Sequence, residues 1–206
     1  FNNIHYYKCN NIFWLFCGAC IPAYLLSALW LPMHLLVYWI VVLAAFAQVT
    51  GWILFLRLIR KNKQVFTNRF PVSGRWLLLL ASFALTIKLL LQLGSTIPSL
   101  SQLAFGFRPI VIGYLHLVLL GIISIFLVGY ITTLQLIKPV KTMVYGIYIL
   151  VAGIFINELL LMIQGVAALG YHLIPFINEG LLIASLIMLS GITLMNIRQS
   201  KKTSSG

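Results

Sequence analysis

Long apolar stretches, interrupted by short polar segments, make up almost the whole of this 206-residue chain, and 62% of its residues are hydrophobic. Each stretch has about 20 residues or more, which is the length that an α-helix needs to cross the hydrocarbon core of a bilayer. The pattern predicts an all-α, polytopic membrane protein. We place its six transmembrane helices at residues 12–30, 33–56, 76–93, 109–136, 142–169 and 179–197.

Proline and clustered polar residues mark the connections between these predicted spans. A tight turn is expected at residues 30–32, and the connector 95–108 has room for a short interfacial helix. Pro109 suits the start of the fourth span, because proline is pre-organised for the first helical position. The six spans and their loops use up the length, so residues 1–206 are expected to form a single transmembrane bundle. Since the chain begins with Phe1 rather than Met, we also expect it to be part of a longer protein.

Charged residues are scarce and mostly basic. They make up 8% of the chain, against roughly 25% in soluble domains, and the formal net charge is +12. If six spans are crossed, the basic residues outside them fall almost entirely on one side, with Arg108 alone on the other. Those on the populated side are Lys8, Arg57, Arg60, Lys61, Lys63, Arg69, Arg75, Lys138, Lys141, Arg198, Lys201 and Lys202.

This asymmetry predicts an orientation and a partner. Because Lys and Arg accumulate in cytoplasmic loops, both ends of the chain are expected to be cytoplasmic. Basic residues beside hydrophobic spans attract anionic lipid headgroups, so the lipid bilayer is the expected partner and nucleic acid is not. Further membrane subunits remain possible partners.

Three ionisable residues fall inside the predicted spans. Lys88, His116 and Glu158 lie roughly 9 to 16 Å from the end of their helices opposite the basic side, at 1.5 Å per residue. Ionisable groups in hydrocarbon are costly and usually face protein or water. Two interpretations stay open. Lys88 pairs with Glu158 or extends toward the interface as a structural feature, or the three residues form a cofactor, ion or proton site.

Other polar residues of the spans have both structural and functional interpretations. Asn157 and Gln164 share a face of the fifth span with Gly153 and are expected to bridge to neighbouring helices. Gly113 lies three residues before His116, where it allows a large flat group or another helix to approach. Arg108, at the rim above His116, is either an interfacial anchor or the partner of a carboxylate.

The remaining histidines and cysteines carry weaker signals. His34 and His172 are expected to be solvated residues at helix ends, and Cys17 and Cys20 to be small packing residues of the first span. The chain contains no phosphate-binding loop and no His-Glu-x-x-His or Gly-x-Ser-x-Gly motif. With only two acidic residues it is not expected to form a two-metal hydrolytic site. Conventional hydrolase or phosphotransferase chemistry is therefore not expected.

The segment around His116 resembles the tenth helix of the heme-copper oxidase subunit I superfamily, whose pattern is His-Phe-His, an apolar run and Gly. The matching segment is Gly113-Tyr114-Leu115-His116-Leu117-Val118-Leu119-Leu120-Gly121. The resemblance extends to degenerate members such as NnrS-like membrane proteins. It implies that His116 is an axial ligand of a low-spin heme, and therefore the metal-binding residue. Tyr114 replaces the histidine that would bind the heme of the binuclear centre.

The topology agrees with this resemblance, because the family has twelve helices and this chain would be the last six. Arg108 is at a height that suits a heme propionate, although the family places its propionate arginines in a loop that here, at residues 170–178, has His172 and no Arg. The resemblance implies a heme-binding or electron-transfer protein of the bacterial inner membrane that is not a complete oxidase. The alternatives are a transporter or proton/ion-conducting protein that uses Lys88, His116 and Glu158, and a structural membrane subunit.

Overall fold

The computed structural model describes residues 3–25, 34–134 and 141–203. Over these ranges the chain forms nine α-helices and one π-helical segment, and it contains no β-strand. The bounds are α1 Asn3–Tyr24, α2 Leu35–Lys61, α3 Lys63–Arg69, α4 Val72–Gly94, α5 Pro98–Gly106, α6 Arg108–His116, the π segment Leu117–Ser124, α7 Ile125–Thr133, α8 Lys141–Leu169 and α9 Ile177–Thr203. The prediction of an all-α protein is confirmed.

Five helices of the described residues are long and apolar enough to cross a membrane. They are Leu35–Lys61, Val72–Gly94, Arg108–Thr133, Lys141–Leu169 and Ile177–Asn196. These five match the second to sixth predicted spans, and the chain is membrane-embedded. Helix α1 includes residues 12–24 of the first predicted span, and the last residues of that span, 26–30, lie outside the described ranges. Helix α1 is not among the five, and it also takes in the polar residues around Asn10 and Asn11. The turn predicted at residues 30–32 lies outside the described residues.

Helix ends differ from the predicted ones where charged residues continue a helix past its apolar part. Helix α2 was predicted to end at residue 56 but runs to Lys61, with Arg60 and Lys61 in its last turn. Arginine and lysine are good helix formers, so the apolar boundary underestimates the helix. The side-chain amide of Asn62 then donates to the carbonyl of Leu58 at 2.9 Å. The connector after α4 contains α5, as the sequence predicts.

The fourth predicted span is one continuous stretch of helix with an irregular middle. Helix α6 ends at His116, and residues Leu117–Ser124 follow in π-helical geometry before α7 begins. The Ser124 hydroxyl donates to the carbonyl of Leu119 at 2.9 Å, five residues earlier. Such segments are rare and occur frequently at functional sites. A regular helix was predicted here, because apolar periodicity does not distinguish the two forms.

The described chain divides into two compact units. Unit 1 comprises residues 1–69 and 86–106, and unit 2 comprises residues 70–85 and 107–206. In unit 1, α1 packs on α2, where a Cβ at Gly51 would lie 3.2 Å from the ring of Phe16. Val41 and Ala45 form the core of this unit, and neither exposes more than 1% of its surface.

Unit 2 is built on the close approach of α8 and α9. A Cβ at Gly146, Gly153 or Gly191 would lie less than 3.0 Å from atoms of the opposite helix. Small residues allow membrane helices to approach to backbone contact, where dispersion forces stabilise them. The buried core beside this contact comprises Leu77, Ala81, Ile125, Met143, Ile147, Leu150 and Ile154.

Candidate functional site

Helices α6 and α8 of unit 2 are antiparallel neighbours. A Cβ at Gly165 would lie 3.4 Å from Ile110, and a Cβ at Gly113 would lie 3.6 Å from Leu161. Residue numbers thus fall on α8 as they rise on α6. Continuing by three residues on each helix brings His116 level with Glu158, and these two side chains are close enough for their charges to interact.

Within this contact, Glu158 has a carboxyl oxygen that is buried without a hydrogen-bond donor in the described part of the chain. The residue is half-buried, and its Oε1 is fully buried without a hydrogen-bond partner among the described residues. A buried carboxylate oxygen that lacks a donor costs free energy, because it has lost its water. Protonation of Glu158, a bound cation, or a hydrogen-bond donor on the side of His116 would remove this cost.

His116 is oriented by its own helix. Its Nδ1 lies 2.9 Å from the carbonyl oxygen of Ile112. Because a carbonyl only accepts hydrogen bonds, Nδ1 must carry the hydrogen in this contact. The other ring nitrogen, Nε2, is then the one that can accept a proton or bind a metal. The half-buried imidazole lies close enough to the Glu158 carboxyl for the two charges to interact.

Gly113, three residues before His116, lies in the contact between α6 and α8. Gly113 faces Leu161 of α8 at ordinary van der Waals distance. Of the two partners predicted for this glycine, a flat group or another helix, the structure shows the helix. Arg108 is the exposed first residue of α6, about 12 Å along the helix from His116 at 1.5 Å per residue.

Asn157 directly precedes Glu158 on α8, and its side chain is close enough to act on the Glu158 carboxyl. It exposes 5% of its surface, and its Nδ2 has no hydrogen-bond partner among the described residues. The contacts of Gly153 with Met188 set the register of α8 against α9. That register places Asn157 level with Ala184, a residue that has no polar side-chain atom. The predicted bridge through this amide is thus not seen, and Gln164 is half-buried on the same helix.

Lys88 makes its hydrogen bond within unit 1. Its ammonium donates to Oε1 of Gln92, and Nε2 of Gln92 donates to Oε1 of Gln48 at 2.7 Å. The predicted Lys88–Glu158 pair stays a prediction, because Glu158 belongs to unit 2. Neither glutamine was predicted from the sequence as part of a site. The spacing of Lys88 and Gln92, four residues apart in one span, was the available signal.

Lys88 is six residues before the end of α4 at Gly94, about 9 Å along its own helix, as predicted. Its hydrogen-bond partner Gln92 is in turn bonded to Gln48, which is the middle residue of the 27-residue α2. The network therefore joins the last two turns of α4 to the middle of α2.

The histidine and cysteine predictions had mixed outcomes. His34 is exposed, as predicted, and also caps α2, where its Nδ1 accepts from the backbone N–H of Leu36 at 3.4 Å. His172 is exposed. Cys17 and Cys20 are free and exposed, so their prediction as packing residues is wrong. The buried side of α1 carries Ile12 and Ala19 instead.

The described part of the chain contains no group of three or more His, Cys, Asp or Glu side chains that could hold a metal ion. No protein-family model, no curated protein and no solved structure matches the chain.

Proposed function

We propose that this membrane protein conducts or transports protons or cations through unit 2, with Glu158 and His116 as the pair that exchanges the proton. The observation that carries the proposal is the buried Oε1 of Glu158, which lacks a hydrogen-bond partner among the described residues. It lies on the face of α8 that packs on α6, level with His116.

The chemistry of the pair suits this role. When Glu158 is protonated, its hydroxyl can donate to Nε2 of His116, and transfer of that proton produces a carboxylate beside an imidazolium. The two states differ by the position of one proton. Ionisable groups that pair inside a membrane commonly mark proton relays and ion pathways. The π-helical segment that begins directly after His116 adds a second feature typical of functional sites.

Proton flux into liposomes tests the proposal. The purified chain would be reconstituted with a pH-sensitive dye inside the vesicles, and a potassium diffusion potential would drive the flux. Glu158→Gln keeps the shape of the side chain but cannot release a proton, so the flux should fall at least tenfold. Glu179→Gln is the matched control, because Glu179 is exposed at the start of α9.

Two results would contradict the proposal. One is a wild-type flux no greater than that of protein-free vesicles under any driving ion. The other is an undiminished flux in Glu158→Gln. Circular dichroism and size-exclusion profiles of both variants show whether the fold is kept. His116→Phe should reduce the flux as Glu158→Gln does, because it removes the proton acceptor.

A second candidate function is heme binding, with His116 as one axial ligand. The supporting observation is the hydrogen bond of Nδ1 to the Ile112 carbonyl, because metal-binding histidines nearly always donate their other ring nitrogen in this way. The Gly113 side of the helix is filled by Leu161, so a heme would have to lie elsewhere around His116. Heme would supply one-electron transfer, and the chain would supply the ligand and its orientation.

Absorption spectra test the heme candidate. Wild-type protein supplied with heme should show a Soret band that shifts or is lost in His116→Ala. Unchanged spectra in the variant, or no Soret band in the wild type, would rule His116 out as a ligand.

We also propose that the chain lies in a bacterial inner membrane with both ends in the cytoplasm, where its basic residues meet anionic headgroups. The exposed Arg60 and Lys61 at the end of α2, and Lys63 just after it, support this side for the second loop. A fluorescent protein that folds only in the cytoplasm, fused after Gly206, should be fluorescent. An alkaline phosphatase that is active only outside the cytoplasm, fused at the same place, should be inactive.

A further inference from the structure

Unit 1 contains a chain of three polar side chains that the proposed function does not use. Lys88 donates to Gln92, and Gln92 donates to Gln48. The two glutamines expose only 6% and 7% of their surfaces. A buried network of this kind is stabilising only when its donors and acceptors are all satisfied.

The lysine dictates the orientation of both amides. An ammonium group has donors and no acceptor, so Gln92 must present its oxygen to Lys88. The NH₂ group of Gln92 then faces Gln48, which must in turn present its own oxygen. Both ends of the chain are therefore donors: the remaining N–H groups of the Lys88 ammonium at one end and the NH₂ group of Gln48 at the other. The network has more donors than acceptors.

Unit 1 has no acidic residue with which to balance this excess. The chain has two acidic residues, Glu158 and Glu179, and both belong to unit 2. From α1, the thiol of Cys20 lies within electrostatic range of Lys88, but a thiol is only a weak acceptor. A cation inside a membrane segment without a counter-ion is costly. The missing group is therefore one that brings negative charge and acceptors from outside the unit.

The position of the network restricts what can supply that charge. Gln48 is the middle residue of α2, about 20 Å along the helix from either end at 1.5 Å per residue. One turn further, Trp52 Nε1 donates to Thr86 Oγ1 at 2.9 Å, which shows that α2 and α4 are packed together here. A lipid headgroup remains near the membrane surface, and a bulky anion does not fit among side chains this buried.

We propose that Lys88, Gln92 and Gln48 form a binding site for a small monovalent anion, such as chloride, in the middle of unit 1. The ammonium group supplies the charge. The amide N–H groups of the glutamines supply further donors around the ion. This site is separate from the Glu158–His116 pair and does not depend on the proposed proton transfer.

Chloride binding to the purified full-length chain tests this proposal directly. The protein would be held in nanodiscs of zwitterionic lipid, and the broadening of the chlorine NMR line would be followed as bromide displaces chloride. In parallel, the melting temperature would be measured as chloride replaces gluconate at constant sodium concentration. A ligand at ten times its Kd shifts the unfolding equilibrium about elevenfold, so the melting temperature should rise and saturate.

The variants isolate the site. Lys88→Met keeps the length of the side chain and removes the charge, and it should lose both the line broadening and the rise in melting temperature. Lys63→Met removes an exposed charge from the same unit and should behave as the wild type. Gln48→Leu keeps Lys88 but removes one end of the donor chain, and it should weaken chloride binding severalfold.

Three results would overturn the proposal. They are a wild-type chain with no chloride effect on either measurement, a chloride effect that Lys88→Met and Gln48→Leu leave unchanged, and loss of chloride binding when an anionic lipid is added to the nanodisc. The last result would show that Lys88 meets a headgroup rather than a small ion. Chloride binding that is insensitive to anionic lipid supports the proposed site.

Discussion

The contact between α8 and α9 allows a quantitative test of the fold of unit 2 through one methyl group. A Cβ at Gly191 would lie 2.6 Å from the backbone nitrogen of Leu150 and 2.9 Å from the carbonyl oxygen of Gly146. Ordinary van der Waals contact begins at about 3.4 Å. Because both neighbours are backbone atoms, neither can rotate away, and the helices themselves must separate.

The cost of Gly191→Ala follows from two opposing effects. Forcing an extra carbon into a packed contact typically costs about 1 to 3 kcal/mol. Alanine is a better helix former than glycine by about 1 kcal/mol, which offsets part of that cost. Because both contacts are with backbone atoms, the cost lies in the upper part of that range, at about 2 to 3 kcal/mol. We therefore expect a net loss of about 1 to 2 kcal/mol in the free energy of unfolding, which corresponds to a roughly 5- to 30-fold change in the ratio of folded to unfolded protein.

Reversible denaturation in mixed micelles, followed by far-ultraviolet circular dichroism, measures this loss. Gly18→Ala is the matched control, because a Cβ at Gly18 in α1 would have no heavy atom within 4 Å. It should leave the free energy of unfolding unchanged or slightly increased. If Gly191→Ala is as stable as Gly18→Ala, then α8 and α9 do not approach as closely as the structure shows.

Two further substitutions test buried polar atoms that lack hydrogen-bond partners among the described residues. Thr133→Val replaces a buried hydroxyl that lies against Gly74 with a methyl group of similar size, and it should raise the free energy of unfolding by about 1 kcal/mol. A loss of stability in the same denaturation experiment would mean that the hydroxyl has a partner. Asn157→Leu should be neutral or stabilising for the same reason, whereas a loss above about 1 kcal/mol would restore the predicted bridge between helices.

Apolar patterning was sufficient to predict the long apolar helices of this fold, but it did not predict their ends or the short helix α3 after α2. The second to sixth spans appear as helices because about 20 consecutive apolar residues leave few alternatives in a membrane. The extension of α2 to Lys61 and the π-helical residues after His116 were not predicted. Both depend on local hydrogen bonds, such as that of Ser124 to Leu119, which the apolar pattern does not encode.

The sequence singled out residues of the candidate sites but did not predict their neighbours. Counting along a helix gives the height of a residue on its own helix, and this was enough to single out Lys88, His116 and Glu158 as costly residues. It does not give the rotation of the helix or the identity of the neighbour. The partner of Lys88 is Gln92, and neither glutamine of that network was predicted. The neighbour of Gly113 was predicted only as one of two alternatives.

The scarcity of acidic residues connects the two sites. With only Glu158 and Glu179 in the chain, most of its 14 basic residues cannot have a carboxylate partner. Basic residues at helix ends meet water or headgroups and need none. Of the basic residues, Lys88 lies far from both ends of α2 and has a neutral amide as its hydrogen-bond partner. The charge of His116 acts on Glu158 in unit 2. We propose that a small ion satisfies each of these two residues, a proton or cation at Glu158 and an anion at Lys88.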